Sequence, residues 1–178
     1  FKNNNSEDSL NLIKSSFILN KNKFYNSLSD ALDIDFSEGN INNLNIFDSG
    51  NDGLDISGSN VNADNLKIFE SSDKAISLGE ETNFESNQII INNTKVGIAV
   101  KDGSKAKLKN LRITNSEYGI AGYIKKNEYE DSQLEAINTS FQNTGTNLLF
   151  SRSANIQINN KIFNPNSSNS AIYKLIYK

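Results

Sequence analysis

Five aspartates lie close together in this chain: Asp30, Asp33, Asp35, Asp52 and Asp55. Asp73 and Glu80 stand at the border of the set, with Lys74 and Lys101 beside them. Asp30 and Asp52 are 22 residues apart, and so are Asp33 and Asp55. If that interval is one structural repeat, each pair is stacked one strand spacing apart. Two carboxylates about 4.8 Å apart repel by roughly 1 kcal/mol in water and about 3.5 kcal/mol at an effective dielectric near 20. A bound cation, a lysine such as Lys74, or a proton shared within a pair offsets that repulsion. Three readings follow: a solvated acidic face screened by salt, a cation site, or a catalytic pair of carboxylates. For the cation site the expected ligands are Asp30, Asp33, Asp35, Asp52, Asp55, Asp73 and Glu80. The expected ion is Ca²⁺, which takes six to eight oxygens from carboxylates, carbonyls and water.

The repeat that would position these residues is written in the sequence. Asp52-Gly53-Leu54-Asp55-Ile56 recurs as Asp8-Ser9-Leu10-Asn11-Leu12, Asp30-Ala31-Leu32-Asp33-Ile34, Lys74-Ala75-Ile76-Ser77-Leu78, Val96-Gly97-Ile98-Ala99-Val100 and Tyr118-Gly119-Ile120-Ala121-Gly122. The small second residue falls at 9, 31, 53, 75, 97 and 119 without drift. A fixed period of this length marks a stacked repeat architecture. Within each copy apolar residues alternate, as in Leu54 and Ile56 or Ile76 and Leu78, which is the period of a strand. That register also outweighs a helical reading of Leu10, Ile13 and Phe17.

A second register begins at an asparagine: Asn43-Leu44-Asn45-Ile46, Asn65-Leu66-Lys67-Ile68, Asn87-Gln88-Ile89-Ile90 and Asn110-Leu111-Arg112-Ile113, continued by Asn138 and Asn160. Asparagine tolerates the left-handed backbone of a sharp bend. Stacked asparagines can also hydrogen-bond in a ladder. A third short strand fits around Ile41, Val61, Leu108 and Leu134. The expected fold is all-β: a right-handed parallel β-helix of about eight coils, with about 22 residues and three short strands per coil, spanning 1–178 as a single domain. The chain is expected to be the C-terminal part of a longer protein with flanking domains, because no polar cap precedes Phe1.

One step between repeats is 28 residues, from Gly119 to Asn147, and the surplus falls in the charged stretch Lys125–Ser132. Insertions in solenoids often flank a binding surface. Tyr118, Tyr123 and Tyr129, with Lys125 and Lys126, are the candidate substrate-binding residues there. A sugar groove and plain edge packing both account for the tyrosines. Phe47 and Phe69 recur on the period and are expected to be packing residues. The segment Ala171–Lys178 alternates lysines with apolar residues and predicts a final edge strand.

Composition narrows the function classes. A net charge of −3 and a hydrophobic content of 36% fit a thin-cored solenoid and argue against a nucleic-acid partner. Cysteine is absent, which excludes disulfides and thiolate chemistry. No apolar run approaches 18 residues, so membrane insertion is not expected.

The coil length, the asparagine series and the turn Asn51-Asp52-Gly53-Leu54-Asp55 resemble the right-handed parallel β-helix proteins of the pectin-lyase-like superfamily. Asn51-Asp52-Gly53 is similar to the Asn-Thr-Asp-Gly turn of polygalacturonases, and Asp73 stands where their paired aspartates begin. The partner position holds Lys74, and the chain contains no histidine, so that catalytic set is incomplete. Polysaccharide lyases on this scaffold acidify a uronate with aspartate-bound Ca²⁺ and use Arg or Lys as the base. The resemblance therefore implies Lys101 or Lys74 as the catalytic base. Three functions are open: an extracellular or cell-surface polysaccharide-associated module with an acidic, Ca²⁺-binding face; a Ca²⁺-dependent lyase or epimerase acting on uronate polymers; and a non-catalytic structural or adhesin solenoid.

Overall fold

The computed structural model describes residues 1–177 as a right-handed parallel β-helix of about seven turns. Each coil lays one strand on each of three faces. The first face holds Asp8–Ile13, Asp30–Asp35, Leu54–Ser57 and Lys74–Gly79 in register, with Leu32, Leu54 and Ile76 in one column. The second and third faces run on from it. From the second face of the fifth coil to the first face of the sixth, all three join as one bent strand, Lys105–Tyr123, hydrogen-bonded along its length to Asn83–Lys101.

The bends between faces fall at left-handed residues. One column of bends contains Lys21, Asn43, Asn65, Gln88, Asn110 and Asn138, with φ between 52° and 67°. A second contains Asn26, Asp48, Glu70, Asn93, Asn115 and Asn143, and a third begins with Lys14, Phe36 and Gly58. Where asparagine occupies a bend, its amide also bridges coils. Asn65 donates to Asn43 (2.5 Å), Asn110 to Asn87 (2.9 Å) and Asn138 to Asn110 (3.1 Å).

The fourth coil departs from the expected register. Its bend is Gln88, because the turn at Glu80-Glu81 holds an extra left-handed residue that moves the second and third faces on by one. Asn87 therefore pairs with Asp64 (3.3 Å) and still accepts from Asn110. Asn160 is left-handed as expected, but it opens a reversal in which Lys161–Ile162 pairs antiparallel with Gln157–Ile158. This reversal ends the stack one coil short of the expected eight.

The interior is a column of apolar side chains. Leu32, Ile34, Leu54, Ile56, Ile76, Leu78 and Ile98 from the first face are completely buried, as are Leu44, Ile46, Leu66, Ile68 and Ile89 from the third. At the corner between the first and second faces, hydroxyls replace apolar groups. Ser37 Oγ accepts from Ser15 N (2.9 Å) and Ser59 Oγ from Ser37 N (2.8 Å), so each coil satisfies an amide of the one before. The small residue at 9, 31, 53, 75, 97 and 119 has a steric cause. A Cβ on Gly97 would lie 2.5 Å from the Gly119 carbonyl oxygen, and one on Gly119 would lie 2.5 Å from that of Asn147.

The insertion lies where the spacing places it, since Lys105 pairs with Gln133 on a 28-residue offset. The expected final strand is instead a helix, Asn169–Ile176, capped by Ser168 Oγ, which accepts from Ala171 N (3.2 Å); Lys178 lies outside the described residues. The reason is the spacing of Ile172 and Ile176, which puts both on one helical face. Both are buried against Val96, Ala99, Ala121 and Leu149 on the outside of the first face, which a strand at the end of the stack could not cover.

Two substitutions check this packing by urea unfolding. Gly97→Ala is expected to lose about 1–3 kcal/mol through overpacking. Asn110→Ala should lose about 1–2 kcal/mol, while Asn110→Gly, which keeps the left-handed bend, should lose less.

Candidate functional site

The outside of the first face brings the predicted residues together along the solenoid axis. Asp33 pairs with Asp55 and Asp35 with Ser57 across neighbouring strands, so the stacking inferred from the period is present. The acids nevertheless do three different jobs.

Asp30 and Asp52 close the coils. Asp30 Oδ1 accepts from Asp52 N (2.8 Å) and from Asn51 Nδ2 (2.7 Å), and Asp52 Oδ1 accepts from Lys74 N (3.0 Å). Each caps the strand of the next coil. Burial raises the carboxyl of Asp30 despite these hydrogen bonds. Asp73 and Glu80 are ion-paired, Asp73 with Lys74 and Glu80 with Lys126. Asp33, Asp35 and Asp55 remain without a cationic partner among the described residues.

Lys74 is almost completely buried, and its ammonium also reaches Asp52 Oδ1 at 3.3 Å. Burial alone would lower this lysine, but Asp52, Tyr177 and Asp73 together hold it above its ordinary value. Burial likewise pushes Asp52 up, and the Lys74 charge pulls it back. The pair is a structural ion pair, and a lysine so clamped keeps its proton. Of the two lysines expected as bases, Lys74 is unsuited to the role.

Lys101 differs. It lies against the surface, 7% exposed, and crosses Gly79 to donate to Ser77 Oγ (2.8 Å). A Cβ at position 79 would come within 3.3 Å of Lys101 Cε, so the glycine makes room for the crossing. Among the described residues no carboxylate lies within 4.0 Å of this ammonium. A buried lysine paired only with a hydroxyl is uncommon.

The tyrosines expected as sugar platforms divide. Tyr123 is fully buried, and its hydroxyl meets that of Tyr177 at 2.7 Å; Tyr118 packs in the cluster beneath the helix. Both serve the edge-packing reading. The helix covers them because the outside of the first face turns apolar from Val96 onward. Tyr129 stays half-exposed in the insertion. The insertion is anchored by Asp102, whose Oδ1 accepts from Lys125 N (2.6 Å) and Lys126 N (2.8 Å).

The ring of Tyr177 lies about 5 Å from both Lys74 Nζ and Lys125 Nζ, close enough for cation–π attraction. Burial lowers Lys125, and the neighbouring charges of Lys101 and Lys74 lower it further. Ser77, Asp102 and Tyr177 thus belong to the site although sequence reasoning did not single out their roles. For Asp102 the available signal was the turn sequence Asp102-Gly103 that follows the strand ending at Lys101.

Together these residues form a strip. Asn11, Asp33, Asp55 and Ser77 run along it, Asp35 borders it, and Lys101 and Tyr177 close one end. Asn11 Nδ2 donates to Asp33 Oδ2 (2.9 Å). Burial, then the charges of Asp35 and Asp55, pushes the Asp33 carboxyl up to about 7. Asp55 Oδ1 is buried and has no hydrogen-bond partner among the described residues. Among the described residues no three acidic side chains converge on one point in the manner of a metal-ligand cluster. Comparison with known protein families, with curated proteins and with solved structures finds no match, and the superfamily resemblance stands on coil architecture alone.

Two outcomes test the electrostatics. The folded Asp33 carboxyl titrates above its unfolded value, so the native state binds the extra proton between about pH 4 and 7 and stability falls as pH rises through that window. Asp33→Asn should therefore raise the Tm at pH 8 by about 2–4 °C, allowing for screening, and give no gain at pH 4. Lys74→Met should cost about 3–5 kcal/mol by stranding Asp52, and Asp52→Asn in the same chain should recover part of it in urea unfolding.

Proposed function

We propose that the protein is a polysaccharide-associated β-helix module, working outside the cell or at its surface, that holds its glycan along the strip on the first face. The observation that carries this reading is the row Asp33, Asp35 and Asp55 on the outside of the first face, carboxylates without a cationic partner among the described residues. A ligand rich in hydroxyl groups supplies donors to such a row. Lys125 and Tyr177 bring a cation and a ring to its closed end. Convergent polar groups beside an aromatic are what a binding strip needs.

A second reading, a lyase or epimerase acting on uronate polymers, is favoured by Lys101. It is buried, held by Ser77 Oγ and free of carboxylate partners among the described residues, which places an amine without a fixed counter-ion beside the strip.

Titration calorimetry against a panel of neutral and uronate polysaccharides tests the first reading. Asp55→Asn with Asp33→Asn should weaken binding at least tenfold, and unchanged binding would remove the strip. A Tm gain from millimolar Ca²⁺ that the double variant loses would add the cation to the site. New ultraviolet absorbance from double bonds in a uronate polymer, abolished by Lys101→Ala, would establish the lyase. Absence of all three effects would leave a structural solenoid.

A further inference from the structure

The second face carries a charge pattern that the net charge conceals. Its outward residues stay exposed from coil to coil, as the column Glu38, Asn60, Asn83, Lys105, Gln133 and Asn155 shows. The C-terminal helix covers none of them, because it packs on the first face.

On the fifth coil this face presents Lys105, Lys107 and Lys109, with Arg112 just past the bend at Asn110. These are four exposed cations in eight residues with no acid among them. Alternate residues of a strand point the same way, so the three lysines form a straight row about 13 Å long at roughly 3.3 Å per residue. The row is not uniform. Lys107 is opposed on both sides, by Glu85 at 3.5 Å and by Glu135 in register. Lys105 has the amides of Asn83 and Gln133 beside it, and Lys109 has Asn87 and Ile137. The two end lysines are therefore the unopposed charges. Shallow hollows of about 190 and 300 Å³ flank the row, lined by these same lysines and neighbouring amides, with Glu135 in one and Glu85 in the other beside Lys107.

We propose that this row is a second binding surface, for an anionic polysaccharide carrying carboxylate or sulfate groups, with Lys105 and Lys109 as its anchors. Ammonium groups interleaved with amides pair with anionic groups and hydroxyls together. The outward residues here include no aromatic ring on which the bases of a nucleic acid could stack. The surface lies on a different face from the strip of Asp33 and Asp55, so it stands or falls independently of the reading given above.

The test is binding of the whole chain to polygalacturonate, dextran sulfate, neutral dextran and duplex DNA over a range of salt concentrations. The wild type should bind polygalacturonate, dextran sulfate or both, and not neutral dextran. The choice between the first two identifies carboxylate or sulfate as the group recognised. Lys105→Ala with Lys109→Ala should weaken that binding at least tenfold and flatten its salt dependence, whereas Lys107→Ala should change it less than about threefold. All three side chains are exposed, and an unchanged Tm confirms that the variants fold. Dextran sulfate binding, and the salt-sensitive part of polygalacturonate binding that the double lysine variant loses, should be unchanged by Asp33→Asn with Asp55→Asn. The proposal is overturned if the wild type retains neither anionic polymer, if the double lysine variant binds as well as wild type, or if duplex DNA binds as tightly as the polysaccharides.

Discussion

Backbone hydrogen bonds in this molecule run from each coil to the next, parallel to the axis, and a coil can satisfy its amides only if its neighbour repeats its path. That requirement explains the constancy of the 22-residue period along the first face. It explains why left-handed residues stand in columns, and why serine hydroxyls accept amides across the corner from Ser15 to Ser59. It also limits where irregularity is tolerated. The extra residue at Glu80-Glu81 is absorbed within a turn and shifts two faces together, and the six-residue surplus after Tyr123 leaves the stack before Ser132 resumes it.

The same constraint gives the acidic patch its structure. Asp30 and Asp52 stand where an incoming strand has an amide to satisfy, and their carboxylates satisfy it. Once those two are committed, and Asp73 and Glu80 are paired with lysines, the charge left to act on a ligand narrows to Asp33, Asp35 and Asp55. A solenoid side chain on the outside of a face would ordinarily be solvated. Here Lys74, Lys101 and Asp52 are buried: Lys74 lies beneath the Tyr177 ring, Lys101 is laid across Gly79, and Asp52 is turned onto the amide of Lys74.

Much of this was legible in the sequence. Periodicity reports on what recurs, so the coils, the inward alternation of Leu54 and Ile56, the insertion and the stacking of Asp33 on Asp55 could all be read from spacing. Contacts made once in the chain leave no such trace. The reach of Lys101 back over Gly79 to Ser77 depends on a side-chain path between coils. The docking of Ile172 and Ile176 depends on an apolar patch that only the folded face assembles. Alternation in Ala171–Lys178 suggested a strand, yet the spacing of four between Ile172 and Ile176 carried the helical signal, and tertiary contact decided between them. The displacement of the bend from Asn87 to Gln88 arose from one residue added in a distant turn, which no local motif records.

The helix that shelters the apolar part of the first face also makes the strip beside it directional. From Asn11 to Asp55 the surface is at least partly open, and at the buried Ser77 and Lys101 it stops against a wall. A linear polymer lying there would have one end abutting and the other running free. The platform would then count units from a fixed stop, favouring chain termini over chain interiors and gaining nothing from length beyond the last coil.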